Sequence, residues 1–468
     1  MTISRARKLL IDNYCLLAIL IGVALISFSI GPFGNADTEW EYEAALGVLR
    51  WGMPYAFTFG NIMNQPPLGF YIEAVFFAFF GESISTGVVL VTLLGLGCIL
   101  TIYKMGEELY DKTTGLAAAA LFALSPWELI LSRTFLIDVQ CLFFSLLCVL
   151  VGIYAVRKDS SRLVLVSGTL FAAAFLTKLF AVFILLPLLL LFTNYKLKKL
   201  KRALSLIGLF SLPAIFFTFL WYEVISGQGL LYVIIHPDFL DYNSSRIAPS
   251  YLFVGNFLLN YGLGMFFVSA AVFSLLILVL HRKRFSKILV FDLVCLATII
   301  PIIAVNTFLG ACLNLKSPYN NAVKYAYQSL PFFSLLAASL TRKCLSLFNS
   351  AKSELKRQRT LVFSVVFIGL FLLGATMFVN LCYAHLLSTA DYLLFKVEPN
   401  VIYGYSLFNP TPTDEHSVLM GIQYLGLAVV LSGFAWAGRH TLVGLFERLR
   451  GLISQKMNMK KKTRKSQK

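Results

Sequence analysis

No C-x-x-C, H-E-x-x-H, G-x-x-x-x-G-K-[ST] or G-x-G-x-x-G pattern occurs in the sequence. A thiolate zinc site, a metalloprotease helix, a P-loop and a dinucleotide-binding fold each need one of these spacings, so none is expected. The five histidines are dispersed. The eight cysteines lie mostly inside apolar runs (Cys15, Cys98, Cys141, Cys148, Cys295), where they read as small apolar residues and not as a disulfide framework or a metal site. Charge is scarce too: 13% of the 468 residues are ionised, and acidic groups are the minority at 23 against 40 basic ones. What the chain has is grease. At 58% hydrophobic and a mean hydropathy of +0.77 it cannot hide its side chains in one water-facing core, and the fold class expected is all-α, a polytopic membrane protein.

Apolar runs long enough to cross a hydrocarbon core of about 30 Å recur along the chain. About twelve transmembrane helices are predicted, at 13–33, 84–103, 114–131, 136–156, 163–177, 179–194, 203–225, 256–280, 288–308, 324–340, 360–382 and 418–437. The first lacks a small-residue cleavage site and reads as a retained span. With the N-terminus placed in the cytoplasm, all but seven of the 40 Lys and Arg fall on the inner side, as the positive-inside rule demands. The seven are Arg50, Arg133, Lys178, Arg246, Lys316, Lys324 and Lys396. Both termini are therefore expected in the cytoplasm of a cell-membrane protein. The basic tail 438–468 reads as a topology anchor against anionic headgroups, and no nucleic acid is expected as a partner.

Inner loops are short and basic, whereas 34–83, 226–255 and 383–417 are longer and share the outer face, where function is expected. "DTEWEYEAALGVLRWG" has apolar positions at helical spacing and reads as a short surface helix. A second apolar helix starts at Pro67, holds about fifteen residues including Glu73, and is expected to be re-entrant or interfacial. Ionisable groups near a membrane default to functional candidates, and here they collect at the outer edge: Asp37, Arg133 and Asp138 in "LSRTFLIDVQ", Lys178 in "FLTKLF", Lys324 and Tyr325 in "NNAVKYAYQSL", and Glu223. Each has a plainer reading. Lone cations snorkel to headgroups; Arg133 and Asp138 make a structural ion pair; Glu41 and Glu43 belong to a solvated helix face. Together they suit transfer of a group from an anionic lipid, with cations on the lipid phosphate and a carboxylate taking the proton of an attacking hydroxyl.

In their order, Asp37, "QPPLGFY", "YDKTTGLAAAALFALSPWELILSRTFLIDV", "GTLFAAAFLTKLFAVFILLPLLLLF" and "KYAYQSLPFF" resemble the membrane domain of the type C glycosyltransferases. The nearest branch holds dolichyl-phosphate-mannose protein mannosyltransferases and lipid A aminoarabinose transferases. The resemblance spans residues 30 to about 340. It implies a glycosyltransferase that passes a sugar, such as mannose or another hexose, from a polyprenyl or dolichyl monophosphate to a protein, lipid or glycan acceptor on the outer face. It places Asp37 as the base beside the reacting centre, with Glu39 as second catalytic candidate. Glu39 sits one residue later than the acidic partner usual in the family, because Thr38 takes that place. Asn64 and Gln65 stand where relatives carry a cation, which shifts donor-phosphate binding to Arg133, Lys178 and Lys324, with Asp138, Gln65 and Tyr325 in support. No cofactor and no metal are implied. The domain division that follows is a catalytic membrane domain 1–340 with its first outer loop 34–83, a C-terminal pair of spans 341–437 with the loop 383–417, and the tail. The competing readings are a lipid or glycan transporter, against which the absence of a repeat speaks, and a noncatalytic scaffold.

Overall fold

A computed structural model gives the architecture; it describes residues 14–30, 36–196 except 59 and 64, 200–230 except 228, 264–280, 283–312, 327–349 and three positions between 425 and 429. The predicted spans 360–382 and 418–437, the loops 231–255 and 383–417 and the tail lie outside the described residues or nearly so. Helix is the dominant element: α1 (Tyr14–Ile30), α2 (Ala36–Trp51), α3 (Leu68–Phe80), α4 (Ile84–Leu109), α5 (Lys112–Ala123), α6 (Pro126–Leu131), α7 (Ile137–Lys158), α8 (Ser161–Thr177), α9 (Leu185–Lys196), α10 (Leu200–Phe219), α11 (Gly264–Leu280), α12 (Ser286–Cys312) and α13 (Leu330–Asn349). A two-stranded antiparallel hairpin, β1 (Tyr55–Ala56) with β2 (Asn61–Ile62), sits between α2 and α3 in the register Tyr55 to Ile62.

Four described helices are long and apolar enough to cross a membrane by themselves: Ile84–Leu109, Ile137–Lys158, Leu204–Ile225 and Ile288–Val305. They fall on the predicted spans 84–103, 136–156, 203–225 and 288–308, the first of them reaching six residues further. The predicted span 114–131 is not continuous. It breaks at Leu124 and Ser125 into α5 and the six-residue α6, after which the chain turns through Ser132–Leu136 into α7. The span 179–194 is likewise composite: a 3-10 turn, Leu179–Ile184, precedes α9. Short pieces of this kind place backbone polar groups at membrane depth, which is tolerated where protein surrounds them.

Capping explains several boundaries. Ser83, Asp111 and Ser160 are extended residues whose side chains accept from Thr86, Thr114 and Leu163 N–H groups, starting α4, α5 and α8. Pro67 precedes α3, and Gly52, with φ of +74°, ends α2. The main apolar cluster runs from α1 to α13, with α7 packed on α8, α8 on α10, α4 on α5 and α7, and α11 on α13. The first loop is folded, not draped: α2 packs on α3, burying Ala44, Val48, Phe70 and Ala74 with Ile137 of α7. Gly69 permits this approach, since a Cβ there would lie 2.6 Å from Ile137 Cγ2. In this way α2 and α3 are seated over the start of α7.

Candidate active site

Leu136, the residue before α7, provides no side-chain cap. The cap comes from another helix: Glu41 Oε2 on α2 accepts the Ile137 N–H at 2.8 Å, putting an anion on the positive end of a 22-residue helix. Glu41 is 2% exposed, so the expectation that it belongs to a solvated face is overturned. Glu43 is half-buried with its carboxylate accepting from Thr58 N and Oγ1, and Glu39 is exposed.

One residue into α7, Asp138 takes both of its oxygens to the Lys178 ammonium, at 2.9 and 2.8 Å. Lys178 follows α8 in an extended conformation that breaks the helix before the 3-10 turn, which points its side chain back at α7. Both groups are buried. The expected partner of Asp138 was Arg133, five residues away. Instead Arg133 is buried at 2% exposure, with Nε donating to Leu129 O at 2.6 Å. Burial lowers its pKa to about 10, which leaves it cationic at neutral pH. Snorkelling to headgroups is thus excluded for Arg133 and Lys178 alike.

Around this pair lie polar groups that sequence reasoning did not single out as site residues. Gln328 Nε2 donates to Asp138 O at 3.3 Å, and Tyr327 hydrogen-bonds through its hydroxyl to Glu128 Oε2 on α6. Glu128 is wholly buried, and Gly95 of α4 makes room for it: a Cβ there would sit 2.8 Å from Glu128 Oε1. Glu73 on α3 accepts from Gln140 Nε2 on α7 at 2.6 Å. Glu128 in "SPWELIL" carried the same signal as Lys178, a lone charge in an apolar run.

Of the predicted site residues, the structure brings Asp138 and Lys178 into direct contact and sets Arg133 in the turn leading to them. Asp37 lies in the first turn of α2, one helical turn before Glu41, and its side chain is outside the described residues. Glu39 faces water. Gln65 is half-buried in the turn before Pro66, its Oε1 without a hydrogen-bond partner among the described residues. Lys324 and Tyr325 lie outside the described residues. No cluster of three metal-ligating side chains occurs among the described residues.

The fold is similar to that of ArnT from Cupriavidus metallidurans, in the apo state (TM-score 0.51, 14% identity, 90% of this chain and 77% of that one) and bound to undecaprenyl phosphate (TM-score 0.53, 15% identity, 91% and 77%). The chain is therefore a multi-pass membrane protein of type C glycosyltransferase fold. Residues 64–222 match the family described as Dolichyl-phosphate-mannose-protein mannosyltransferase, a stretch that holds every buried charge from Glu73 to Lys178. Two Bacillus subtilis (strain 168) proteins that carry a provisional mannosyltransferase name, YycA and YkcB, are 28% and 27% identical over 130 residues, or 28% of this chain. The matched stretch spans 19% and 18% of their own lengths.

Proposed function

We propose that the protein is a glycosyltransferase that takes a sugar from a polyprenyl monophosphate carrier and passes it, with inversion, to an acceptor hydroxyl on the outer face of the membrane. The observation that carries this reading is the Asp138–Lys178 pair with Arg133, buried under the first loop within the family-matched stretch. Two cations held out of water beneath this loop, Lys178 fixed by Asp138 and Arg133 in the adjoining turn, carry the charge that a lipid phosphate would meet there.

In this reading the acceptor oxygen attacks the anomeric carbon while the bond from that carbon to the phosphate oxygen breaks. The bonding electrons leave with the phosphate, and Asp37 takes the acceptor proton. Arg133, Lys178 and Lys324 hold the phosphate and stabilise the charge it gains; fixed cations in a water-poor site do this without reorganising during the step. Asp138 holds the Lys178 ammonium in place, and Glu41 fixes the end of α7 on which Asp138 sits. The undecaprenyl phosphate of the ArnT complex supports a prenyl carrier, and the names of YycA and YkcB support a hexose such as mannose. The positive-inside asymmetry supports cytoplasmic termini and an outward-facing site.

The test is release of free polyprenyl phosphate by the purified full-length protein from a panel of polyprenyl-phosphate sugars with lipid, glycan and peptide acceptors. One donor is expected to be consumed, and Asp37→Asn is expected to abolish its use while the protein stays folded. Binding of labelled donor without consumption, unchanged by Asp37→Asn, would overturn the reading in favour of transport.

A further inference from the structure

Glu73 and Gln140 present an arithmetic problem in hydrogen bonds. Glu73, on the face of α3 turned to α7, is 0% exposed, and so is Gln140. One bond joins them, Gln140 Nε2 to Glu73 Oε1 at 2.6 Å. The other two polar atoms of the pair, Glu73 Oε2 and Gln140 Oε1, are both buried without a partner among the described residues. Both are acceptors as long as Glu73 is ionised, so they cannot satisfy each other. A single proton on Glu73 Oε2 changes that. A carboxylic acid and a carboxamide can exchange two hydrogen bonds in one planar ring, which would give both remaining atoms a partner.

The charges around Glu73 point the same way. Of the groups on the elements packed against α3, the Glu41 carboxyl on α2 opposes a negative charge on Glu73. Glu43 on α2 is bound by Thr58, and Arg50 on α2 pairs at the surface with Glu82. Asp138 on α7 and Lys178 at the end of α8 hold each other. On α4 the charged side chains are Lys104, Glu107 and Glu108, at the helix end away from α3. No described cation contacts the Glu73 carboxyl, and a buried, uncompensated carboxylate is costly enough that such groups take up a proton instead.

We propose that Glu73 is a neutral carboxylic acid that donates from Oε2 to Gln140 Oε1, and that this two-bond pair is the positioning element setting α3 against α7 beneath the site. It leaves Glu41 as the anion between α2 and α7, free of a second negative charge alongside, to cap the helix that carries Asp138. The inference stands apart from the transferase reading, because its test requires no turnover.

The test is the infrared spectrum of the full-length protein in lipid nanodiscs at neutral pH, compared with Glu73→Gln, alongside thermal unfolding of both and of Gln140→Leu. The expected difference spectrum shows loss of a protonated-carboxyl C=O stretch in Glu73→Gln. The midpoint of that variant should match wild type, since two amides keep both bonds, whereas Gln140→Leu should lower it. Loss of a carboxylate stretch in Glu73→Gln would overturn the proposal, as would a midpoint lowered as far as by Gln140→Leu. If Gln140→Leu fails to fold, the spectrum and the Glu73→Gln midpoint still decide.

Discussion

The bundle buries charge at two places, and they are built differently. At the end away from the first loop, Lys343 on α13 bonds Asp292 on α12, Ser274 Oγ at 2.6 Å, Ser274 O at 3.1 Å and Ser339 Oγ at 3.2 Å, while Tyr110 donates to the other Asp292 oxygen at 2.7 Å. None of these side chains has an unpartnered buried atom. Beneath the first loop, roughly 22 Å further along α4 by helix rise, Gln65, Glu73, Ser125, Glu128, Ser132 and Gln140 carry buried atoms without a partner among the described residues. The first network is closed, with each donor matched to an acceptor, and it joins α11, α12 and α13. The second, among the described residues, leaves several buried acceptors and hydroxyls unmatched. Native structures keep few such atoms, and a concentration of them marks a place where something else binds or reacts. Burial of charge alone, then, does not identify a site; the unsatisfied remainder does.

The largest expected effect breaks the closed network. Lys343→Met leaves Asp292 buried without its counter-ion, and removing one partner of such a pair costs about 3–5 kcal/mol. Thermal unfolding in nanodiscs should show the loss, while donor consumption per folded molecule stays at the wild-type level. A variant of normal stability would mean that this network is not the closed structural one.

The open network should respond the other way round. Lys178→Met removes a fixed cation from the proposed phosphate site, and catalytic efficiency should fall about 10²–10³-fold, as for loss of one preorganised donor to a developing anion. The variant Lys178→Met with Asp138→Leu removes both charges, so it should regain stability lost in Lys178→Met and regain no activity. Recovery of activity in that double variant would reduce the pair to a structural ion pair. A smaller change is Tyr327→Phe, which strips the hydrogen-bonding partner from buried Glu128. Its cost in unfolding should be about 1–3 kcal/mol, the penalty of a buried polar group left unmade.

How much of this was legible in the sequence follows from which signals are local. Interruptions of apolar runs exposed Arg133, Asp138 and Lys178, because a charge in grease is visible without knowing its partner. The partner was not visible. Proximity favoured Arg133 for Asp138, but a helix start and a chain reversal bring Lys178, 40 residues on, to both carboxylate oxygens. Glu41 was hidden for a different reason: Glu39 and Glu43 flank it in the same alternation, and packing of α2 on α3 and α7 decides which of the three is buried. Lys343 was concealed by topology. Next to Arg342 at the end of a span it looks like one more basic loop residue, yet it is 0% exposed while Arg342 reaches the partly exposed Asp111. The break of the third span at Leu124 and Ser125 did leave a local mark, since Ser125 precedes Pro126 and is biased away from helix, but the apolar residues on either side read as one run.

The smallest expected effect tests whether burial is what separates these pairs from ordinary ones. Arg50 at the end of α2 meets Glu82, before α4, at 3.2 Å, with both side chains nearly half exposed at 49% and 43%. It ties the first loop to the bundle in the same sense as Glu41 does, but in water the attraction is screened and the freed side chains regain entropy. Arg50→Ala should therefore shift unfolding by at most about 1 kcal/mol and less still in high salt. The aromatic group beside it, Trp51, Tyr55 and Phe57 in mutual edge contact, should hold the turn after α2 regardless. If Arg50→Ala cost as much as Lys343→Met, the first loop would be held by its surface charges, and the buried cap from Glu41 would no longer be what sets it over α7.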